Sequence, residues 1–224
     1  SRMILLALST SGRAASAALL KDGVPLAEAT RDEGLTHSET ILLLAAELLD
    51  QTGLAPRDIG VFAADVGPGS FTGVRIGVCA VNAMAAACGA PVVAVSSLAA
   101  LREGISEEPG PVCTLLDARN GNAYAALFDK QACLMQPAAA IVAELLPTLP
   151  RGTLFVGDGA EAYRDEILSI VPNARFAAPQ QNLLTALPVA HAAWRLFSAG
   201  ETVREAMPLY LRPTQAERLY KEKK

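Results

Sequence analysis

Short apolar runs alternate with longer amphipathic runs along the first half of the chain, and their periods predict strands and helices in a defined order. Three strand patterns come first, after which helix and strand patterns alternate. Glycines follow the two longest helix patterns, where a left-handed residue commonly ends a helix. The predicted elements are strands 3–9, 15–20 and 24–30, helix 38–52, strand 59–66, helix 74–88, strand 91–95 and helix 96–102.

The second half repeats this order of elements, although its residues do not repeat. Its predicted elements are strands 111–117, 122–129 and 132–136, helix 141–146, strand 153–156, helix 160–170, strand 175–177 and helix 184–198. The pattern therefore predicts an α/β fold of two lobes, 1–104 and 111–224, each with the order βββαβαβα. This is the order of the actin, sugar-kinase and Hsp70 (ASKHA) fold, in which a ligand cleft lies between the lobes. The final segment is a candidate to pack back across the lobes.

Two predicted helices, 38–52 and 74–88, are apolar on more than one face. In helix 74–88 the polar strip is narrow and consists of Arg75 and Asn82. Such a helix indicates either an interface with a partner or a cover from the same chain, for example the C-terminal segment. Charged residues in place of Leu42 and Met84 are expected to abolish pairing without unfolding the chain. The candidate partner-binding residues are Ile41, Leu42, Ala46, Leu49, Ile76, Ala80, Ala83, Met84 and Ala87.

A glycine-rich stretch, Gly67–Gly77, lies between a predicted strand and a predicted helix. Backbone amides at such a turn can surround an anion. The spacing matches neither a P-loop nor a dinucleotide fingerprint, so an anion site and a tight structural turn are both open interpretations. The candidate residues, including the turn after the first strand, are Ser9, Thr10, Ser11, Gly67, Gly69, Ser70, Thr72, Gly73 and Arg75.

Charge and cysteine usage narrow the function classes. With a net charge of −4, the chain as a whole is not a nucleic-acid-binding surface, and its basic tail is typical of a solvated end. The four cysteines form no C-x-x-C pair, which favours reduced thiols in a cytoplasmic protein. Apolar runs are interrupted before about 18 residues, so no membrane span is expected.

Several motifs, in chain order and over nearly the whole chain, resemble those of the bacterial TsaB family, also called YeaZ. The most specific of them is the glycine-rich stretch. The matching segments are Leu6–Ser11, His37–Glu39, Gly67–Gly77, Asp117–Arg119 followed by Tyr124, and Pro208–Arg212.

This resemblance implies a role in forming N6-threonylcarbamoyladenosine at position 37 of tRNAs that read ANN codons. Such proteins are non-catalytic, obligate partners of TsaD, which transfers the threonylcarbamoyl group, and they pair with it through first-lobe helices. The ATPase TsaE joins at the junction of the pair. The resemblance therefore implies no catalytic residue, metal or cofactor in this chain, and a homodimer when it is alone. The acidic charge balance indicates that tRNA is held mainly by other subunits.

The chain departs from related families at the turn after the first strand. Those families usually read Asp-Thr-Ser there, whereas this chain has Ser9, Thr10 and Ser11. A hydroxyl cannot hold Mg²⁺ or act as a base as a carboxylate does. The departure argues against the alternative function, an ASKHA-fold small-molecule kinase or ATPase. It also means that any role of the usual aspartate in docking a partner does not carry over to Ser9.

Other candidate chemistry is sparse. The two histidines, His37 and His191, are far apart and are predicted to be packing residues, which argues against a metallopeptidase-like hydrolase. Asp65 and Asp117 end predicted strands and are candidates to face the cleft, although a turn-forming role is the simpler interpretation of Asp117. Asp158, between two glycines, is assigned no role beyond its turn.

Overall fold

The structure, a computed structural model, describes residues 2–32 and 37–211, which form ten strands and seven α-helices. The first elements are β1 (Ile4–Ser9), β2 (Ala15–Lys21), β3 (Val24–Arg31), α1 (His37–Thr52), β4 (Val61–Asp65), α2 (Phe71–Cys88), β5 (Val92–Val95) and α3 (Ser97–Glu103). The later elements are β6 (Pro111–Asp117), β7 (Asn122–Asp129), β8 (Ala132–Ile141), α4 (Val142–Leu145), β9 (Leu154–Val156), α5 (Asp158–Ala162), α6 (Arg164–Ile170), β10 (Arg175–Phe176) and α7 (Ala186–Ser198).

The two sheets share one topology, which confirms the predicted ASKHA fold. The first sheet has the order β3-β2-β1-β4-β5 and the second the order β8-β7-β6-β9-β10. In each sheet the first three strands are antiparallel, and the last two run parallel to the first. Strand β1 is central and fully buried. Leu6 and Leu8 belong to the core beneath α1 and α2, and α7 packs against β1 as well.

Two predicted elements differ from those observed. The strand expected at 132–136 continues to Ile141 through Pro137. It can do so because β8 is an edge strand, where a proline removes no ladder hydrogen bond. The helix expected at 160–170 is divided into α5 and α6 at Tyr163, whose backbone angles, φ −110° and ψ 20°, are not helical.

The two compact units differ from the predicted lobes in their boundaries. One unit comprises the chain up to Glu103 together with Leu184–Leu209, and the other is mainly Gly104–Leu183. Helix α7, which the prediction placed in the second lobe, therefore belongs to the first unit. It packs against β1 and β2, the Ala186 amide donates to Ser16 Oγ at 2.8 Å, and Arg195 forms an ion pair with Glu103.

The segment after α7, which we call the C-terminal strap (residues 202–209), binds back onto the first unit. Val203 and Val92 exchange two backbone hydrogen bonds of 2.8 and 2.9 Å, so the strap covers the edge strand β5. The Asn82 side chain on α2 accepts from the Ala206 amide at 2.8 Å and donates to the Ala206 carbonyl at 2.9 Å. The Leu209 amide donates to the Val66 carbonyl at 2.8 Å.

We expect Asn82→Ala to destabilise the chain by about 1–3 kcal/mol, because it leaves the amide and carbonyl of the buried Ala206 without their partners. The measurement is urea unfolding of the isolated chain. Gln51→Ala, at an exposed amide side chain on α1, is the control. Equal unfolding midpoints for the two variants would show that Asn82 does not hold the strap.

Candidate functional site

The β4–α2 turn packs directly on the β1–β2 turn. The Ser70 amide donates to the Ser11 carbonyl at 2.8 Å, and Thr10 Oγ1 donates to the Gly73 carbonyl at 2.5 Å. A side chain at Gly69, Gly73 or Gly77 would place its Cβ less than 3.0 Å from Thr10 or Ser11 atoms. Gly69 and Gly73 are therefore required by the close approach of two backbone segments, and Gly77 by the Thr10 hydroxyl that lies against it.

A buried carboxylate joins the same two turns. Asp65, at the end of β4, is 2% exposed. Its Oδ2 accepts a hydrogen bond of 2.8 Å from Ser9 Oγ and a second one from Ser11 Oγ, and its Oδ1 accepts from the Gly67 amide at 3.0 Å. Burial raises the pKa of Asp65, and the hydrogen bonds from Ser11, Gly67 and Ser9 oppose that rise.

These contacts favour the structural interpretation of the glycine-rich stretch over the anion-binding one. The Gly67 amide binds Asp65, the Ser70 amide binds the Ser11 carbonyl, and the Gly73 amide binds Ser70 Oγ at 3.2 Å as the helix cap. Ser9, Thr10 and Ser11 are themselves buried. The predicted loop residues do come together, but their polar groups are used within the protein.

Thr72 and Arg75, the remaining loop candidates, are exposed on the first turns of α2. The Arg75 guanidinium lies 3.9 Å from the centroid of the Phe71 ring, which places a cation over an aromatic face. Phe71 is 61% exposed, so the start of α2 presents a large apolar surface beside a charge.

Exposed apolar residues continue along α1 and α2, and we call this set the outer apolar face. Leu42 and Leu43 on α1 are 53% and 63% exposed. Exposed alanines on α2 leave its surface flat, which lets a facing helix approach closely. The outer apolar face comprises Leu42, Leu43, Ala46, Phe71, Ala83 and Ala87.

Some of the predicted partner-binding residues lie outside the outer apolar face. Ile41 and Leu49 are core residues, 1% and 6% exposed, because they share one stripe of α1 with Leu44 and Leu48. Ile76, Ala80 and Met84 are half-buried and pack against that core.

Leu43 and Phe71 are exposed residues that the predicted set omitted. Leu43 was omitted because it belongs to neither apolar stripe of the predicted helix. Phe71 was omitted because it precedes residue 74, where the second helix was predicted to begin. The signal that could have found Phe71 is Ser70, a residue type that commonly precedes the first helical residue.

A groove of about 1030 Å³ adjoins the outer apolar face. It lies between α2 and the C-terminal strap, so both of its walls belong to the first unit. Small side chains form much of its lining, which includes Ala83, Ala86, Gly89, Ala90 and Val203.

In the other unit, a second group of polar residues gathers where β6 ends. The Tyr163 hydroxyl lies 2.8 Å from Asp117 Oδ1 and 2.9 Å from the Asn122 carbonyl. Asp117 Oδ1 accepts from the Arg119 amide at 2.9 Å, and Asp158 Oδ1 accepts from the Asp117 amide at 2.8 Å. Burial and Asp117 raise the pKa of Tyr163 to about 12. These bonds support the turn-forming interpretation of Asp117.

The histidines lie on different helices. His37 begins α1, and its Nε2 lies 2.9 Å from the Gly12 carbonyl, whereas His191 is half-buried on α7. Across residues 2–32 and 37–211, no three His, Cys, Asp or Glu side chains are grouped in a way that could hold a metal ion.

One helix in the described part of the chain, α2, is long and apolar enough to cross a membrane by length and composition. This is weak evidence, because core helices of soluble proteins pass the same test. Here α2 packs on β4 and beside α1, with 33% of its residues buried.

Comparison with known proteins identifies relatives along most of the chain. A family model described as TsaD, tRNA N6-adenosine threonylcarbamoyltransferase, matches residues 31–198. The tRNA threonylcarbamoyladenosine biosynthesis protein TsaB of Escherichia coli is 31% identical over an alignment of 229 positions. That alignment covers 94% of this chain and 95% of that protein. The protein of the same name from Bacillus subtilis is 30% identical over 189 residues, covering 80% and 82%.

A solved structure agrees with these relatives. YeaZ from Pseudomonas aeruginosa superposes with a TM-score of 0.79 at 31% identity, covering 93% of this chain and all of that one. Sequence and structure thus agree over both units, and the chain belongs to the TsaB/YeaZ family of tRNA threonylcarbamoyladenosine biosynthesis proteins.

Proposed function

We propose that this chain is a non-catalytic partner of TsaD in the transfer of the threonylcarbamoyl group to tRNA. The observation that carries the proposal is the outer apolar face, because exposed leucine and phenylalanine side chains on two adjacent helices are typical of an interface. The match of residues 31–198 to the TsaD family model supports a partner of related fold.

The outer apolar face suits a pair of helices from the partner. Leu42, Leu43 and Phe71 would supply large apolar side chains that the partner covers. Ala83 and Ala87 would allow a partner helix to come within about 8–10 Å of α2. Side chains of that helix would then have access to the adjoining groove beside the C-terminal strap.

The proposal has three further parts, which concern the free chain, TsaE and the tRNA. Without TsaD, two copies of this chain would cover their outer apolar faces by pairing with each other. TsaE would join at the junction of this chain with TsaD. Because the net charge of −4 would repel tRNA phosphates, the tRNA would be held mainly by the other subunits. The complex would act in the cytoplasm.

The alternative, a kinase or ATPase, finds little support in the turn after β1. Ser9 offers a hydroxyl where an ASKHA phosphotransferase uses a carboxylate to handle metal and phosphate. The nearest carboxylate, Asp65, is buried and already accepts bonds from Ser9, Ser11 and the Gly67 amide.

The experiment is an omit-one reconstitution of threonylcarbamoyladenosine formation with cognate TsaD, TsaE and the enzyme that makes the donor. Modified tRNA is expected only when this chain is present, and none when this chain replaces TsaD. Full activity without this chain, together with no complex on gel filtration, would refute the proposal. Mg²⁺-dependent ATP hydrolysis by the chain alone would favour the alternative.

A further inference from the structure

The carboxylate of Asp65 lies beside the side chain of Ser9, with its Oδ2 2.8 Å from Ser9 Oγ. We propose that Asp65 is a positioning residue which supplies, from β4, the negative charge that related families supply from the turn after β1. On this proposal the site holds one carboxylate, which comes from β4 instead of the turn after β1.

The register of the sheet explains how this exchange is possible. Strands β1 and β4 are parallel neighbours, and Leu8 is paired with Ala64. One residue further along each strand lie Ser9 and Asp65, and neighbouring residues in register on parallel strands direct their side chains to the same face. The 2.8 Å bond from Ser9 Oγ to Asp65 Oδ2 shows that the two side chains meet.

The site is complete with a single carboxylate. Ser9 Oγ, Ser11 Oγ and the Gly67 amide all donate to the Asp65 carboxylate, which is 2% exposed. An aspartate at residue 9 would replace one of these donors by a second carboxylate within hydrogen-bond distance of the first. Two buried like charges repel each other, and neither would retain a full set of donors.

The carboxylate is connected to the outer apolar face through two hydrogen bonds. Asp65 binds Ser11, whose carbonyl accepts from the amide of Ser70, the residue that caps α2. Phe71, the first residue of α2, follows directly. This part of the inference rests on the proposed function, since it makes Asp65 responsible for the placement of a docking residue.

The test is a charge-exchange cycle on the isolated full chain, with Ser9→Asp, Asp65→Ser and the double variant. Each single variant is expected to lower the melting temperature by about 6–15 °C, because it leaves two carboxylates or none at the site. Faster hydrogen exchange at the Ser70 amide should accompany that fall. The double variant restores one carboxylate. It is expected to recover at least half of the summed fall in melting temperature of the two single variants, and to slow hydrogen exchange at the Ser70 amide again.

The cycle gives a clear result even when the single variants do not fold. In that case a double variant that folds would by itself support the proposal that the carboxylate can be supplied from either strand. Losses that simply add, or a double variant that also fails to fold, would overturn it. None of these measurements requires TsaD, so they are independent of the proposed function.

A pull-down with TsaD tests the positioning role. Pairing is expected to weaken in Asp65→Ser and to return in the double variant. Unchanged pairing in a folded Asp65→Ser variant would overturn that role, whereas failure of the unsubstituted chain to bind TsaD would refute the proposed function instead.

Discussion

Replacing Leu42 by glutamate is expected to weaken the binding of this chain to TsaD by at least about 30-fold, with little change in its own stability. Leu42 is 53% exposed, so a carboxylate there remains hydrated in the isolated chain. In the complex it would be buried in the apolar centre of the interface, where truncation or replacement of a central residue costs about 2 kcal/mol or more. The measurement is the affinity for TsaD by titration calorimetry, with the melting temperature of the free chain measured in parallel.

Leu168→Glu is a matched control, because Leu168 is also 53% exposed and also helical but lies on α6 in the other unit. Its affinity for TsaD should equal that of the unsubstituted chain. If both variants bind normally, the docking surface lies elsewhere. Met84 is a poorer target than Leu42, since it is packed against the core and a charge there would disturb the fold itself.

The second large effect is expected from Gly73→Ala, which should destabilise the first unit by about 3–5 kcal/mol. The new Cβ would overlap the Thr10 carbonyl, a backbone atom that cannot swing away as a flexible side chain can. Alanine usually stabilises a helix relative to glycine by about 1 kcal/mol, so this substitution reverses the ordinary sign. Thermal unfolding of the isolated chain is the measurement.

Gly12→Ala makes the same chemical change in the neighbouring turn, where nothing lies within 4 Å of the added Cβ. That variant should melt within about 2 °C of the unsubstituted chain. If Gly73→Ala were as stable as the unsubstituted chain, the two turns would have to separate readily. Close packing would then not explain the glycine at residue 73.

The order of elements was predictable from the sequence because it depends on local periodicity. Helix 38–52 and strand 111–117, for example, follow directly from the spacing of apolar residues, as does the duplicated sheet. Periodicity also separated Val74, Val78 and Val81 as one face of α2, and the structure places all three in the core.

What periodicity could not show is which surface an apolar residue meets. Leu42 and Leu49 share a predicted stripe, yet Leu42 is exposed and Leu49 is buried. A strongly apolar helix can bury an apolar stripe at several rotations about its axis, so the pattern alone does not select one. The link between Ser9 and Asp65 depends on the register of two strands 56 residues apart in the chain. Only the pairing of β1 with β4 reveals it.

The position of α7 was unpredictable for a similar reason. Its apolar face is evident in the sequence, but no local signal states which of two sheets it covers. The segments that precede it in the chain belong to the second unit, whereas its contacts are with β1, β2 and α3.

That arrangement has a consequence for synthesis on the ribosome. The second unit is built largely from the continuous stretch Gly104–Leu183, so most of its chain is available before α7 has been made. The first sheet must wait with one face uncovered until residues 184–209 emerge, because translation delivers its final layer last. The half of the protein that is translated first is therefore completed later, and its nascent sheet is the part that most needs protection from aggregation.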